Sequence, residues 1–119
     1  MSSRHCRVLI VDDDQDTREA LSEALANAGF HVEQSATAAE ALGRIEESGD
    51  PDVILLDLRM PGMDGEQFLE RTRQSNARVI VLTGDSSGRL LRFARDAKLL
   101  SKPVDLNDLE AAVKEACAA

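Results

Sequence analysis

Residues 53–57 read VILLD, a short apolar run that ends on an aspartate. A continuous apolar run that contains β-branched residues is typical of a strand buried on both faces of a parallel sheet. Three further runs also end on polar groups: Val8–Val11 at Asp12 and Asp13, Val79–Leu82 at Thr83, and Leu99–Ser101 at Lys102. Ligands bind beyond the carboxyl ends of parallel strands, so we expect three carboxylates, a hydroxyl and an ammonium to meet at one edge.

The segments between these runs predict helices. The helical candidates are Thr17–Asn27, Thr37 to about Glu47, Glu66–Gln74, Leu90–Ala97 and a last helix that ends near Cys117, with a further strand at Phe30–Ser35. Thr37 and Glu40 match a capping box at the start of the second helix. Because strands that alternate with helices pair in parallel through right-handed crossovers, with helices on both faces, we predict a (βα)5 three-layer α/β/α sandwich.

The composition favours one small domain with an aliphatic core. The chain has 119 residues, of which 43% are hydrophobic, but only three Phe and no Trp or Tyr. We predict a single domain over residues 1–119 with its core at about 7–117. No apolar stretch approaches the length of a membrane span or forms a secretory signal, so we expect a cytoplasmic protein. The net charge of −8 argues against direct binding of nucleic acid.

Cys6 and Cys117 lie near opposite ends of the chain. Two cysteines in a chain of this length make neither a disulfide framework nor a metal-type spacing. We therefore expect two small apolar side chains in a reducing cytosol.

Asp57 is the candidate nucleophile. A carboxylate held rigidly after a buried strand can attack phosphorus, as in enzymes that pass through an aspartyl-phosphate, whereas a lone aspartate in this position more often caps a turn. Asp12 and Asp13 favour the nucleophile over the turn cap, because adjacent carboxylates at a buried edge need a counter-charge. Mg²⁺ binds such carboxylates together with water and phosphate oxygens. Asp14 or Asp16 is expected to cap the first helix instead.

Thr83 and Lys102 supply groups that phosphoryl transfer uses. The transferred group carries charge on its equatorial oxygens, and catalysis comes mainly from positioning and electrostatic stabilisation. A hydroxyl and an ammonium can each serve one of these oxygens. The bond between Lys102 and Pro103 is a cis-peptide candidate, because the cis form costs little before proline and would aim the lysine side chain.

In combination, these motifs resemble the receiver domain of two-component response regulators over nearly the whole chain. The matching motifs, in order, are VLIVDD at 8–13, DLRMPGMDG at 57–65, Thr83, and Lys102 with Pro103. The resemblance implies a flavodoxin-like, doubly wound sheet of five parallel strands in the order 2-1-3-4-5. It also implies a phosphorelay signalling domain that catalyses only its own phosphorylation and dephosphorylation and is otherwise not an enzyme.

The same resemblance implies roles in phosphorylation. Asp57 would accept a phosphoryl group from the phosphohistidine of a sensor histidine kinase or a phosphotransfer protein. The cofactor would be Mg²⁺, with these ligands: the carboxylates of Asp12, Asp13 and Asp57 and the backbone carbonyl of Arg59. Lys102 would pair with Asp57 at rest and with the phosphoryl group afterwards.

Thr83 and Leu99 are the switch residues that the resemblance implies. Thr83 would turn inward to bind a phosphoryl oxygen. That movement would remodel the face made by the predicted fourth helix, the fifth strand and the last helix, through which the domain would signal or form a homodimer. The family usually has Tyr or Phe where this chain has Leu99. A switch that depends on an aromatic side chain at this position is therefore expected to be altered. The spacing from Thr83 to Lys102 is also short for the family, which we attribute to the region of Leu90–Ala97.

Two other functions remain open. One is a phosphorylation-independent adaptor with receiver architecture, to which Leu99 gives weight. The other is a Mg²⁺-dependent phosphohydrolase with an aspartyl nucleophile. Haloacid-dehalogenase-like enzymes have Asp-x-Asp-x-Thr or Val after their first strand, and Asp16 fails that pattern at its last position.

Arg59 and Asp85 are predicted to set the lifetime of the phosphoryl group. They lie two residues beyond Asp57 and Thr83 respectively, so both flank the site opening and can pair across it to restrict the attacking water. Arg59→Ala or Asp85→Ala should therefore change the half-life of the phosphorylated form more than the rate of phosphorylation. The measurement is the loss of label after the phosphodonor is removed. Equal half-lives in wild type and Arg59→Ala would refute this role.

Overall fold

The computed structural model describes residues 6–57, 63–73, 75–84 and 97–118. Within them the strands are β1 (Arg7–Val11), β2 (His31–Ser35), β3 (Val53–Asp57), β4 (Arg78–Thr83) and β5 (Lys98–Ser101). The helices are α1 (Gln15–Asn27), α2 (Ala38–Ser48), α3 (Met63–Thr72) and α4 (Leu106–Ala118). None of these described helices has the length and apolar character needed to cross a membrane.

The strands form a parallel sheet in the order β2-β1-β3-β4-β5. The predicted α/β class, the parallel pairing and the strand order are therefore confirmed. Because β1 pairs with both β2 and β3, the chain order reverses beside β1. In open sheets of this kind, the crevice at the carboxyl ends of the strands flanking that reversal is the usual ligand site.

Alternation of side chains along β1 and β3 divides the core into two apolar layers. Ile10 and Leu55 pack with α1 and α4 on one face of the sheet. Leu9 and Ile54 pack with α2 and α3 on the other face. Every residue of β3 is buried as a result, and each large aliphatic side chain in such a strand stabilises the fold by about 1.5–3 kcal/mol. The strand that carries Asp57 is therefore firmly anchored along its whole length.

The third helix differs from its predicted bounds. It begins at Met63, before the predicted start at Glu66. The predicted start lay later because Gly and Pro at positions 61, 62 and 65 favour turns, yet the helix already includes residues 63–65. The predicted helix at Leu90–Ala97 lies outside the described residues except for Ala97, which directly precedes β5.

Side-chain caps fix where α1 and α2 begin. The Asp14 carboxylate accepts a hydrogen bond from the Thr17 backbone N–H at 3.0 Å and caps α1, one of the two predicted choices. Thr37 caps α2 by accepting from the Glu40 N–H at 3.0 Å, and the Glu40 carboxylate accepts from the Ala36 N–H at 2.8 Å. The cap of α1 lets the helix start immediately after the acidic turn at the end of β1.

The expectation of two separate cysteine side chains was wrong, because Cys6 and Cys117 form a disulfide. Their Cα atoms are 6.1 Å apart, within the range that a disulfide requires. Cys6 directly precedes β1 at the amino end of the sheet. The last helix, α4, runs back against the strand direction, so its final turn reaches the same end. The two cysteines are therefore neighbours in space although they are 111 residues apart in sequence.

Reduction of this disulfide should destabilise the domain. A cross-link that closes so long a loop stabilises by about 2–5 kcal/mol, chiefly because it restricts the unfolded chain. We expect dithiothreitol to lower the free energy of unfolding in urea by an amount in that range. Cys117→Ala is the control, since its stability should not respond to the reductant. Identical wild-type unfolding curves with and without dithiothreitol would contradict the pairing.

Candidate functional site

Two buried carboxylates lie at the carboxyl ends of adjacent central strands. Asp57 is the last residue of β3, and Asp12 directly follows β1. The register pairs Val11 with Leu56, so the next residue on each strand brings Asp12 level with Asp57. Asp12 is 0% exposed and Asp57 is 2% exposed. Two carboxylates buried this deeply and this close need positive charge or hydrogen-bond donors around them.

Lys102 provides one such positive charge. Its Nζ lies 2.5 Å from Asp57 Oδ2, so the predicted resting pair of lysine and aspartate is present. The lysine backbone N–H donates to the Thr83 carbonyl at 2.9 Å, which fixes the start of the segment after β5. The Lys102–Pro103 peptide bond is cis, as predicted. The Asp57 side chain is 1% exposed and that of Lys102 is 24% exposed, so the lysine is the more solvent-accessible partner of the pair.

Thr83 and Leu99 lie on one face of neighbouring strands. Leu99 is level with Val81 in the register of β4 and β5, and Thr83 follows Val81 by two residues, so the three share a face. Leu99 is partly buried and packs with the apolar layer under α2 and α3. Thr83 is 8% exposed at the end of β4. The two predicted switch residues are therefore diagonal neighbours on the same side of the sheet.

Asp12 and Asp13 differ sharply in environment. The Asp12 N–H donates to the Ser35 carbonyl at 3.1 Å, and its Oδ1 accepts from the Asp14 N–H at 2.9 Å. Asp13 is exposed, so its carboxylate faces the solvent side of the same turn. Of the predicted ligands on this turn, Asp12 is therefore buried level with Asp57, whereas Asp13 is exposed.

These donors suit Mg²⁺ in particular. In the described part of the chain, no three His, Cys, Asp or Glu side chains form a group that could enclose a metal ion. Mg²⁺ does not require such a cage, because it is commonly bound by one or two carboxylates and completes its shell with water and phosphate oxygens. The donor chemistry here, hard oxygen ligands open to solvent on one side, therefore fits Mg²⁺ better than a metal that needs several fixed side chains.

Arg59 and Asp85, which were predicted to tune the site, lie outside the described residues. Gly84 is described and exposed at the end of β4. A Cβ built on it would meet nothing within 4 Å. The approach to the site from Thr83 is therefore open among the described residues.

Arg18 is a site neighbour that the sequence reading missed. Its Nη1 donates to the Asp12 carbonyl at 2.8 Å, and its Nε donates to Gln34 Oε1 at 3.2 Å. The only sequence signal was its position one helical turn after Asp14, at the end of α1 that faces the acidic turn. The pairing with Gln34 carried no local signal, because it joins α1 to β2.

The family follows from comparison with known proteins. The model of the response regulator receiver domain matches residues 8–114. Sporulation initiation phosphotransferase F of Bacillus subtilis (strain 168) is 32% identical over 114 residues, which are 92% of this chain and 91% of that protein. Response regulator receiver protein CpdR of Brucella abortus (strain 2308) is 37% identical over 109 residues, 87% of this chain and 89% of that protein.

A solved structure agrees with these relatives. The CheY-like response regulator receiver domain protein from Methanospirillum hungatei JF-1 is 32% identical with a TM-score of 0.86, covering 96% of this chain and 94% of that one. The chain also matches the DNA-binding transcriptional regulator NtrC of Escherichia coli (strain K12) at 37% identity, but over only 24% of that protein. The chain belongs to the response regulator receiver family and is a receiver domain of two-component signalling.

The two side chains of the ion pair differ in exposure, so we expect replacing one to affect stability more than replacing the other. Lys102→Met should lower the free energy of unfolding by roughly 1–3 kcal/mol, because it removes the cation beside a buried carboxylate. Asp57→Asn should cost less, because the ammonium left behind reaches water and the repulsion with Asp12 is relieved. Urea unfolding at pH 7 compares the two variants. A larger loss in Asp57→Asn would contradict this description of the pair.

Proposed function

We propose that this domain accepts a phosphoryl group on Asp57 from a phosphohistidine and so acts as a phosphorelay switch. The observation that carries the proposal is the buried Asp57 carboxylate, held at 2.5 Å by Lys102 and level with Asp12 on the next strand. A nucleophile fixed on a rigid strand, with a cation and a second carboxylate beside it, has the layout that phosphoryl transfer needs. Family membership supports the same function.

In the proposed reaction an Asp57 carboxylate oxygen attacks the phosphorus atom. The new O–P bond forms as the P–N bond to the donor imidazole breaks, and the imidazole leaves with the electrons of that bond. The Lys102 ammonium then moves from the carboxylate to a phosphoryl oxygen, and the Thr83 hydroxyl donates to another. Charge neutralisation at the phosphoryl oxygens is the chemistry that Mg²⁺ supplies when bound.

Asp12, Asp13 and Asp57 are the proposed acidic groups of the Mg²⁺ site, with Asp13 and Asp57 as direct ligands and Asp12 joined to the ion through water. Asp12 is held from its N–H and its Oδ1, which leaves the carboxylate of Asp13 to meet the ion from the solvent side. The Arg59 carbonyl remains a proposed further ligand. So small a set of protein ligands suits an ion that keeps several of its waters.

The proposed output runs through Thr83, Leu99 and the surface of β5 and α4. Phosphorylation would draw the Thr83 hydroxyl toward the phosphoryl group, and Leu99 lies on the same face to respond to that shift. A leucine fills less space than an aromatic ring and has no hydroxyl to bond. The domain would therefore signal by repacking an aliphatic side chain, to a protein partner or a second copy.

The remaining proposals concern context. Residues 1–119 would act as one receiver unit in the cytoplasm, without direct contact to nucleic acid, and its donor would be a histidine kinase or a phosphotransfer protein. The domain would turn over no other substrate.

An adaptor that works without phosphorylation is the second candidate, favoured by Leu99 where the family usually has an aromatic residue. A phosphohydrolase is the third, and it would turn over p-nitrophenyl phosphate.

Intact mass spectrometry after incubation with Mg²⁺ and acetyl phosphate tests the acceptor. Wild type should gain one phosphoryl group, Asp57→Asn none, and omission of Mg²⁺ should abolish the gain. Asp52→Asn is the matched control, because Asp52 lies just before β3 at the opposite end of the same strand, and it should be labelled like wild type. Labelling that survives Asp57→Asn would refute the assignment. Full biological output from Asp57→Asn would favour the adaptor.

A further inference from the structure

A polar chain links α1, β2 and the acidic turn through Arg18. The guanidinium donates from Nη1 to the Asp12 carbonyl at 2.8 Å and from Nε to Gln34 Oε1 at 3.2 Å. Gln34 in turn donates from Nε2 to Ser22 Oγ at 3.1 Å. The arginine is partly buried, and its guanidinium is held at two points, one of which, Gln34, is itself held by Ser22. An arginine held in this way is suited to orienting another group.

The carbonyl that Arg18 holds belongs to the peptide unit between Asp12 and Asp13. The plane of a peptide is rigid, so fixing this carbonyl fixes the direction in which the chain enters Asp13. The N–H of Asp12 is separately anchored on Ser35, and its Oδ1 on the Asp14 N–H. Of these anchors, only the bond from Arg18 acts on the peptide unit that leads into the exposed carboxylate.

We propose that Arg18 is a positioning residue for cation binding, acting through the peptide unit between Asp12 and Asp13, with Gln34 and Ser22 holding its guanidinium in place. The inference rests on the proposed function, since it concerns the same Mg²⁺ site. It adds residues from α1 and β2 that touch neither the phosphoryl group nor the ion. Such outer groups commonly change metal affinity by about 10–100-fold when they are removed.

Two effects of Arg18 on a cation have opposite signs. Its positive charge disfavours a second cation nearby, so charge alone predicts that removing Arg18 tightens Mg²⁺ binding. Its hydrogen bond to the Asp12 carbonyl orders the turn, so positioning predicts weaker binding after removal. The arginine is partly exposed, so solvent and salt screen its charge, whereas a short hydrogen bond is little affected by salt. Positioning should therefore dominate at physiological ionic strength.

The test is Mg²⁺ affinity by titration calorimetry in the unphosphorylated domain, together with the free energy of unfolding of each variant. Arg18→Met should weaken Mg²⁺ binding about tenfold. Gln34→Leu, which keeps the charge but removes the acceptor for Nε, should weaken it by a smaller factor. Arg18→Lys should recover part of the loss, because an ammonium can still donate to the carbonyl.

Arg7→Met is the matched control. Arg7 is also an arginine that donates to backbone carbonyls, those of Ser48 and Asp50 at 3.4 Å each, but it lies at the amino end of β1. It should leave Mg²⁺ affinity unchanged, even where its cost in stability equals that of Arg18→Met. A similar loss of affinity in Arg7→Met would show that general destabilisation is responsible and would overturn the inference.

The remaining outcomes are also decisive. Unchanged or tighter Mg²⁺ binding in Arg18→Met, with wild type binding normally, would overturn the positioning role and leave the proposed function intact. Failure of wild type itself to bind Mg²⁺ would overturn the proposed function and this inference with it. In ¹⁵N-labelled protein, Arg18→Met should shift the amide resonance of Asp13, while Arg7→Met should not.

Discussion

The ion pair between Asp57 and Lys102 is the interaction on which the rest of the site depends. A carboxylate that is 1% exposed at the end of an apolar strand is unfavourable by itself. The ammonium at 2.5 Å offsets that cost, and the lysine side chain that carries it is 24% exposed. The same contact thus compensates the buried carboxylate while its lysine partner stays in reach of solvent.

The two apolar layers give this pair its fixed location. Side chains of β3 are buried on both faces because α1 and α4 cover one side and α2 and α3 the other. Register with β1 then sets Asp12 level with Asp57, and register with β4 and β5 brings Thr83 and the segment at Lys102 to the same edge. The same packed strands thus carry both the core and the site groups, which links domain stability to site geometry.

Sequence patterns predicted the structural features that depend on short-range rules. The run at 53–57 marks a buried strand and its terminal acid, and parallel pairing alone brings the strand ends together. The cis bond before Pro103 and the cap at Asp14 are likewise local. The disulfide of Cys6 and Cys117 was missed because it depends on α4 returning to the amino end of β1. The contact of Arg18 with the Asp12 carbonyl was missed for a similar reason, since it requires the docking of α1 against the sheet.

A structure of the domain with Mg²⁺ and beryllofluoride, a stable mimic of a phosphoryl group, tests the central claim most directly. The account predicts the mimic on the Asp57 carboxylate, the Lys102 ammonium moved onto a fluoride, and the metal between the acidic turn after β1 and Asp57. It would be contradicted if the mimic bound at another carboxylate, or if Lys102 stayed on Asp57 with no anion bound beside it.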